Sequence, residues 1–107
     1  MLNEQDIRSA VQRIASVAQC PSRVILFGSY ARGDADESSD LDLIVVEREI
    51  AHHAEEQLRL AETIGCLAVD VDLLLYSEDE FDKRKNWCST PVYWAYREGK
   101  VLYESDT

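Results

Sequence analysis

Gly28-Ser29-Tyr30-Ala31-Arg32-Gly33-Asp34-Ala35, followed after a short polar stretch by Ser39-Asp40-Leu41-Asp42-Leu43, is the segment from which the rest of this chain can be read. The residues before it, Arg23-Val24-Ile25-Leu26-Phe27, form a β-branched and aromatic run that stops at a glycine, the pattern of a buried strand. Gly28 has no Cβ and lets the backbone come close to a ligand. Ser29 stands where a short helix would begin, with free amide groups and a hydroxyl suited to an anion. Arg32 follows within one helical turn, placed for a bound triphosphate, for the neighbouring strand, or for an ion pair with Asp34 or Asp36. Gly33 then gives the chain freedom to reverse.

The next strand is expected over Leu41 to Val46. Side chains alternate along a strand, so Asp40 and Asp42 point to one face and Leu41 and Leu43 to the other. Two carboxylates side by side repel, and each raises the other's pKa unless a cation lies between them. All-oxygen ligands favour Mg²⁺, with Mn²⁺ as the alternative. A two-metal centre needs a third acid, and the predicted strand Leu67 to Tyr76 offers Asp70 and Asp72, again two residues apart. Either could close the site. The chemistry implied is phosphoryl or nucleotidyl transfer.

These residues resemble the DNA polymerase β-like nucleotidyltransferase superfamily and, within it, the small stand-alone minimal nucleotidyltransferases. The family pattern runs Gly-Ser-x-Ala-x-Gly-x-Ala, a spacer, then Ser-Asp-x-Asp-Leu; Gly28, Ser29, Ala31, Gly33, Ala35, Ser39, Asp40, Asp42 and Leu43 fill it. The resemblance implies an α+β (α/β) fold, a mixed β-sheet flanked by helices like the polymerase β palm, in a single domain over residues 1–107. It implies that Gly28, Ser29 and Arg32 hold ATP or another nucleoside triphosphate. Asp40, Asp42 and Asp72 would bind two Mg²⁺ ions and carry catalysis, Asp72 as the third acid that helps to deprotonate the attacking hydroxyl. Asp70 departs from the single acid usual at that strand and leaves the assignment between the two open. Minimal nucleotidyltransferases commonly pair with a helical HEPN-domain toxin, so the implied partner is such a toxin and the implied role that of its antitoxin, attaching AMP to a tyrosine.

Length and composition narrow the field. A chain of 107 residues suits one domain with one modest core. No apolar run is long enough to cross a bilayer, and the first residues lack the basic and apolar blocks of a signal peptide, so a soluble cytoplasmic protein is expected. Cys20, Cys66 and Cys88 are too few and too scattered for a zinc spacing or a disulfide framework and are read as core or surface thiols. The net charge of −10 argues against stable nucleic-acid binding, because phosphate neutralisation supplies much of that affinity. Lys83-Arg84-Lys85 reads as a solvated helix face.

The remaining segments read as scaffold. Asn3 can cap a first helix with apolar positions Ile7, Val11, Ile14 and Ala18, and Pro21 separates it from the first strand. A second helix is expected from about Glu49 to Ile64, with a stripe of Ile50, Ala54, Leu58 and Ala61, ended by Gly65. It would cross between parallel strands and bring the Asp40 and Asp72 carboxylates to one end of the sheet. His52 and His53 point about 100° apart on it and are read as surface residues. Ser77-Glu78-Asp79-Glu80 resembles a capping box for a third helix reaching toward Trp87. Thr90-Pro91 opens a last helix, and Gly99 ends it before an edge strand at Val101 to Tyr103. There Val92, Ala95 and Tyr96 would share one face. Trp94 projects off it, to pack on Trp87 or Phe81 or to serve a partner or dimer interface.

Three functional classes follow. The first is a nucleotidyltransferase acting on a protein hydroxyl. The second is a non-catalytic module that neutralises a toxin by binding it, against which the intact acids speak. The third is transfer to a small molecule such as an aminoglycoside, for which little chain remains to build an acceptor pocket.

Overall fold

The structure is a computed structural model that describes residues 2–65 and 69–105. Cys66, the predicted strand residues 67 and 68, and the last two residues of the tail lie outside the described residues. Helix α1 (Glu4–Val17) begins as its first residues require: the Asn3 side chain accepts from the Asp6 N–H at 2.8 Å, and Asp6 accepts from the Asn3 N–H at 3.3 Å. After it come β1 (Pro21–Phe27), α2 (Ser29–Arg32), β2 (Leu41–Glu47), α3 (His53–Ile64), β3 (Val71–Ser77), α4 (Glu78–Arg84), α5 (Pro91–Glu98) and β4 (Lys100–Glu104). Pro21 is the first residue of β1, a position where its missing N–H is tolerated, and not a spacer ahead of the strand.

The four strands form one sheet in the order β3-β2-β1-β4, parallel between β2 and β3 and antiparallel elsewhere. Strand β2 is central and buried on both faces. Leu41, Leu43 and Val45 join Val24, Leu26, Leu73 and Leu75 under Ile7, Val11, Ile14, Leu60 and Ile64 of α1 and α3. Ile44 and Val46 join Ile25 on the opposite face under Phe81, Val92 and Ala95 of α4 and α5. The expected mixed sheet flanked by helices is therefore present, with the α3 crossover joining the two parallel strands. Ser77 caps α4 through the Glu80 N–H, and Thr90 caps α5 through the Tyr93 N–H, with Pro91 in the first turn. Gly99 is required by contact as well as by its cap position. A Cβ there would press on the Ala95 carbonyl and lie 2.7 Å from Ile25 Cγ2.

Helix α3 differs from its expected form. It starts at His53, four residues later than the pattern suggested, and buries Glu56, Leu60 and Ile64. Ala54 and Ala61 are exposed and Leu58 is 61 % exposed, so the apolar stripe faces away from the core. The buried face carries a carboxylate beside Leu60 and Ile64, which a reading of apolar spacing does not see. His53 is also more than a surface residue: its Nε2 lies 2.7 Å from the Leu75 carbonyl, while Gln57 Nε2 donates to the Leu73 carbonyl at 3.0 Å. These are outer-edge carbonyls of β3, which α3 thereby covers. On the far edge, the pairing of β4 with β1 shifts between Val24 and Ile25 and leaves Leu102 as a bulge.

Helix α4 ends at Arg84, short of Trp87. The basic cluster is only partly solvated, since Arg84 pairs with Glu80 and lies over Tyr76, and Lys85 pairs with Asp82 and lies over Tyr96. Tyr96 is half exposed, although its ring meets the edge of Phe81 at 6.2 Å. Trp94, also half exposed, meets neither Trp87 nor Phe81 as a ring pair. It lies edge-on to Tyr93 and donates from its indole to the Cys88 carbonyl at 3.2 Å.

At the end of β2 farthest from Asp42, two glutamates face each other inside the protein. Glu47 is fully buried; its Oε1 accepts from the Cys20 N–H at 3.1 Å, and its Oε2 has no donor. Glu56 accepts from the Gln19 N–H at 3.1 Å and from Arg59, which also reaches the Val17 carbonyl. Two buried carboxylates in contact are satisfied when one keeps its proton and donates it to the other. Burial first, and then the neighbouring Glu56, push the Glu47 carboxyl up to about 7. Burial acts on Glu56 as well, but hydrogen bonds from Glu47, the Gln19 N–H and Arg59 hold it below the ordinary carboxyl range. A group whose folded pKa is raised stabilises the fold fully below its unfolded value, and that contribution is lost as pH rises through the folded pKa. The melting temperature should therefore fall as pH rises from about 4.5 to about 7, the interval between the ordinary and the raised value, and Glu47→Gln should flatten that slope. Glu56 acts in the opposite direction, but only on acidification. Thermal melts of both proteins across this range check it; equal slopes would remove the shared proton.

Candidate active site

Strand β1 delivers the chain to Gly28 with φ +75°, and α2 starts at Ser29. The Gly28 carbonyl accepts from the Ala31 and Arg32 N–H groups at 3.1 and 3.0 Å, and no side chain caps the N-terminus of this short helix. Ala31 anchors it in the core, and the Tyr30 hydroxyl accepts from the Leu2 N–H at 3.1 Å. Gly33 closes α2 in the left-handed region at φ +82°. The two glycines differ in kind. Around Gly33 a Cβ would meet open space, whereas at Gly28 it would drive into the Asp42 carboxylate, whose Cγ would lie 3.1 Å away. The backbone turn and the acid are thus packed against each other, because Phe27, the residue before Gly28, pairs across the sheet with Asp42.

Asp42 is the second residue of β2, on the face shared with Ile44 and Val46. In the parallel register it is the direct partner of Asp72. Neighbouring strands lie about 4.8 Å apart, so two acids in register on one face must feel each other. Partial burial first, and then the charges of Asp72 and Asp40, push the Asp42 carboxyl above its ordinary value, while Arg32 offsets part of the rise. Asp40 is exposed and lies just before the strand, and Asp72 is exposed within β3. Arg32 makes the ion pair with Asp34: its Nε lies 3.3 Å from Asp34 Oδ2 on the surface.

Asp70 is separated from this group. It precedes β3, its carbonyl accepts from the Leu41 N–H at 2.9 Å, and it lines a cleft of about 350 Å³ with Ala61, Ile64, Val69 and Leu73 beside the end of α3. The structure therefore sets Asp72, and not Asp70, against Asp42. Among the described residues no three His, Cys, Asp or Glu side chains are gathered closely enough to form a ready-made metal cage. Oxygen donors alone, one of them destabilised as an anion by burial and by its two neighbours, still fit a hard divalent cation in chemistry.

One part of the site escaped the sequence reading. Between α2 and β2, Asp36 Oδ1 accepts from the Ser38 N–H at 2.9 Å, the Ser38 hydroxyl at 2.7 Å and the Ser39 hydroxyl at 3.2 Å. The Asp36 N–H donates to Ser39 Oγ at 2.9 Å, and the Ser39 N–H to the Asp36 carbonyl at 3.1 Å. The signal was present as Asp-x-Ser, a sequence in which the aspartate bonds the backbone two residues on.

The contrast between the two glycines gives a test. Gly33→Ala should cost only the left-handed strain, roughly 1–2 kcal/mol. Gly28→Ala adds the collision with Asp42 and should cost more, which urea denaturation of the two variants measures. Equal losses would mean that the turn and the acid are not in contact.

The description of the nucleotidyltransferase domain family matches residues 5–87. A candidate protein adenylyltransferase of Methanocaldococcus jannaschii, MJ0604, is 35% identical over 82 residues, covering 76% of this chain and 77% of its own length. Among solved structures, a candidate nucleotidyltransferase from Sulfolobus solfataricus superposes with a TM-score of 0.66 at 21% identity, over 96% of this chain and 81% of that one. A chain from the complex of tri-AMPylated Shewanella oneidensis HEPN toxin with MNT antitoxin does so at 0.63 and 18% identity, over 97% and 74%. At such identities the two superpositions establish the fold. With the family match spanning most of the chain, this protein belongs to the nucleotidyltransferase domain family.

Proposed function

We propose that this protein is a metal-dependent nucleotidyltransferase that moves AMP from ATP to a hydroxyl of a protein partner. We propose further that the partner is a HEPN-domain toxin and this chain its antitoxin. The observation that carries the reading is the in-register opposition of Asp42 and Asp72 beside the Gly28 turn. The relative named for protein adenylyltransfer and the neighbour in a HEPN toxin complex support the choice of acceptor.

In this reading the amide end of α2 at Ser29 and the Ser29 hydroxyl hold triphosphate oxygens, and the close approach of Gly28 to Asp42 fixes the distance between phosphates and acids. Arg32, freed from Asp34, neutralises charge on the phosphates. Asp40, Asp42 and Asp72 hold two Mg²⁺ ions. Bound there, the metal supplies polarisation of the phosphoryl oxygens and stabilisation of the leaving pyrophosphate. Asp72 receives the proton of the attacking hydroxyl as the new O–P bond forms at the α-phosphorus and the bond to the β-phosphate oxygen breaks.

The test is transfer of label from α-labelled ATP with Mg²⁺ to a HEPN-domain protein. Label should appear on the partner and vanish with Asp40→Asn/Asp42→Asn. Asp72→Asn should lower the rate at least about 100-fold. An Asp72→Asn protein with full activity removes its role as the base. A stable complex that gains no label from any of the four nucleotides turns the reading toward the non-catalytic binding module.

A further inference from the structure

Asp40 projects from an exposed loop, and no packing explains what fixes its carboxylate. On its C-terminal side the chain is held, because the next residue, Leu41, is fully buried and donates its N–H to the Asp70 carbonyl at 2.9 Å. On its N-terminal side, residues 33–38 have mostly exposed side chains. There the chain is closed on itself by the ring of five hydrogen bonds between Asp36, Ser38 and Ser39. Three of the five end on one oxygen, Asp36 Oδ1. Ser39, the last residue of the ring, is bonded directly to Asp40.

We propose that Asp36 is a positioning residue for the metal-binding acids: it acts through the Ser38–Ser39 turn to hold Asp40 in place beside Asp42. The inference rests on the metal-site reading above. What it adds is a residue four positions upstream that touches neither nucleotide nor metal. The geometry explains why an acceptor oxygen is needed at position 36 while its charge is not. Oδ1 collects the Ser38 amide and both hydroxyls, and an asparagine would present the same carbonyl oxygen. An alanine removes the three bonds on Oδ1 and leaves the turn before Asp40 held only by the two bonds that the backbone of residue 36 makes with Ser39. Outer groups that orient metal ligands typically contribute 10–100-fold to affinity.

The experiment compares wild type, Asp36→Ala, Asp36→Asn and Asp42→Asn. Mn²⁺ affinity is measured by electron paramagnetic resonance, and backbone order at Ser39 and Asp40 by ¹⁵N relaxation in metal-free protein. The ring lies on the surface, so wild type and the two Asp36 variants should melt within a few degrees of one another. Asp36→Ala should bind Mn²⁺ about tenfold more weakly and show lower order at Asp40 without metal, while Asp36→Asn keeps both near wild type. Wild-type affinity in Asp36→Ala, beside lost binding in Asp42→Asn, overturns the positioning role and leaves the metal site standing. Equal weakening in the Asn and Ala variants also overturns it, since charge at position 36 would then be what matters. A wild-type protein with no Mn²⁺ affinity overturns the metal-site reading and this inference together.

Discussion

Strand β2 must be apolar enough to be buried on both faces and must still carry carboxylates at its two ends. Its middle residues supply the pressure: Leu43, Ile44, Val45 and Val46 are essentially sealed from solvent, and at roughly 1.5–3 kcal/mol per large apolar side chain they hold the strand between β1 and β3. Everything else is arranged around that burial. Because β2 cannot slip by one residue without turning its leucines and isoleucine to the wrong layers, its register with β3 is fixed, and the opposition of Asp42 and Asp72 is a by-product of core packing. Charges that repel are held together by hydrophobic contacts a few residues away.

The two ends of β2 resolve the same electrostatic problem differently. At the Glu47 end the pair is buried, Arg59 reaches Glu56, and burial with the neighbouring Glu56 pushes the Glu47 carboxyl up to about 7. At the Asp42 end the strand nears solvent, and the half-buried Asp42 keeps its carboxyl above the ordinary value under burial and the charges of the exposed Asp72 and Asp40. One strand therefore ends in a closed acid contact with helix α3 on one side and a more open group of acids on the other.

Much of this was legible in the chain. The Gly28–Leu43 segment, the capping residues Asn3, Ser77 and Thr90, and the parallel crossover are local or periodic signals, and each falls where the sequence puts it. Helix α3 was misread because its inward face includes Glu56, whose burial depends on Glu47 and Gln19 arriving from other segments, with Arg59 of the same helix beside it. No pattern confined to the helix carries that information. The choice between Asp70 and Asp72 had the same character. Both lie two residues apart, and only the pairing partner across the sheet separates them. The Asp36 ring was visible as a turn signal but not as a group bearing on Asp40, because its meaning depends on how little else supports that loop.

The treatment of the sheet's two margins constrains how this protein can associate. On β3 the outward carbonyls of Leu73 and Leu75 are already occupied by Gln57 and His53, and on β4 the bulge at Leu102 breaks the repeat that an added strand would have to match. Extension of the sheet by another chain's backbone is disfavoured on both sides. Recognition of any partner is thereby left to side-chain surfaces, which discriminate by shape and charge where a bare strand edge would accept almost any extended peptide.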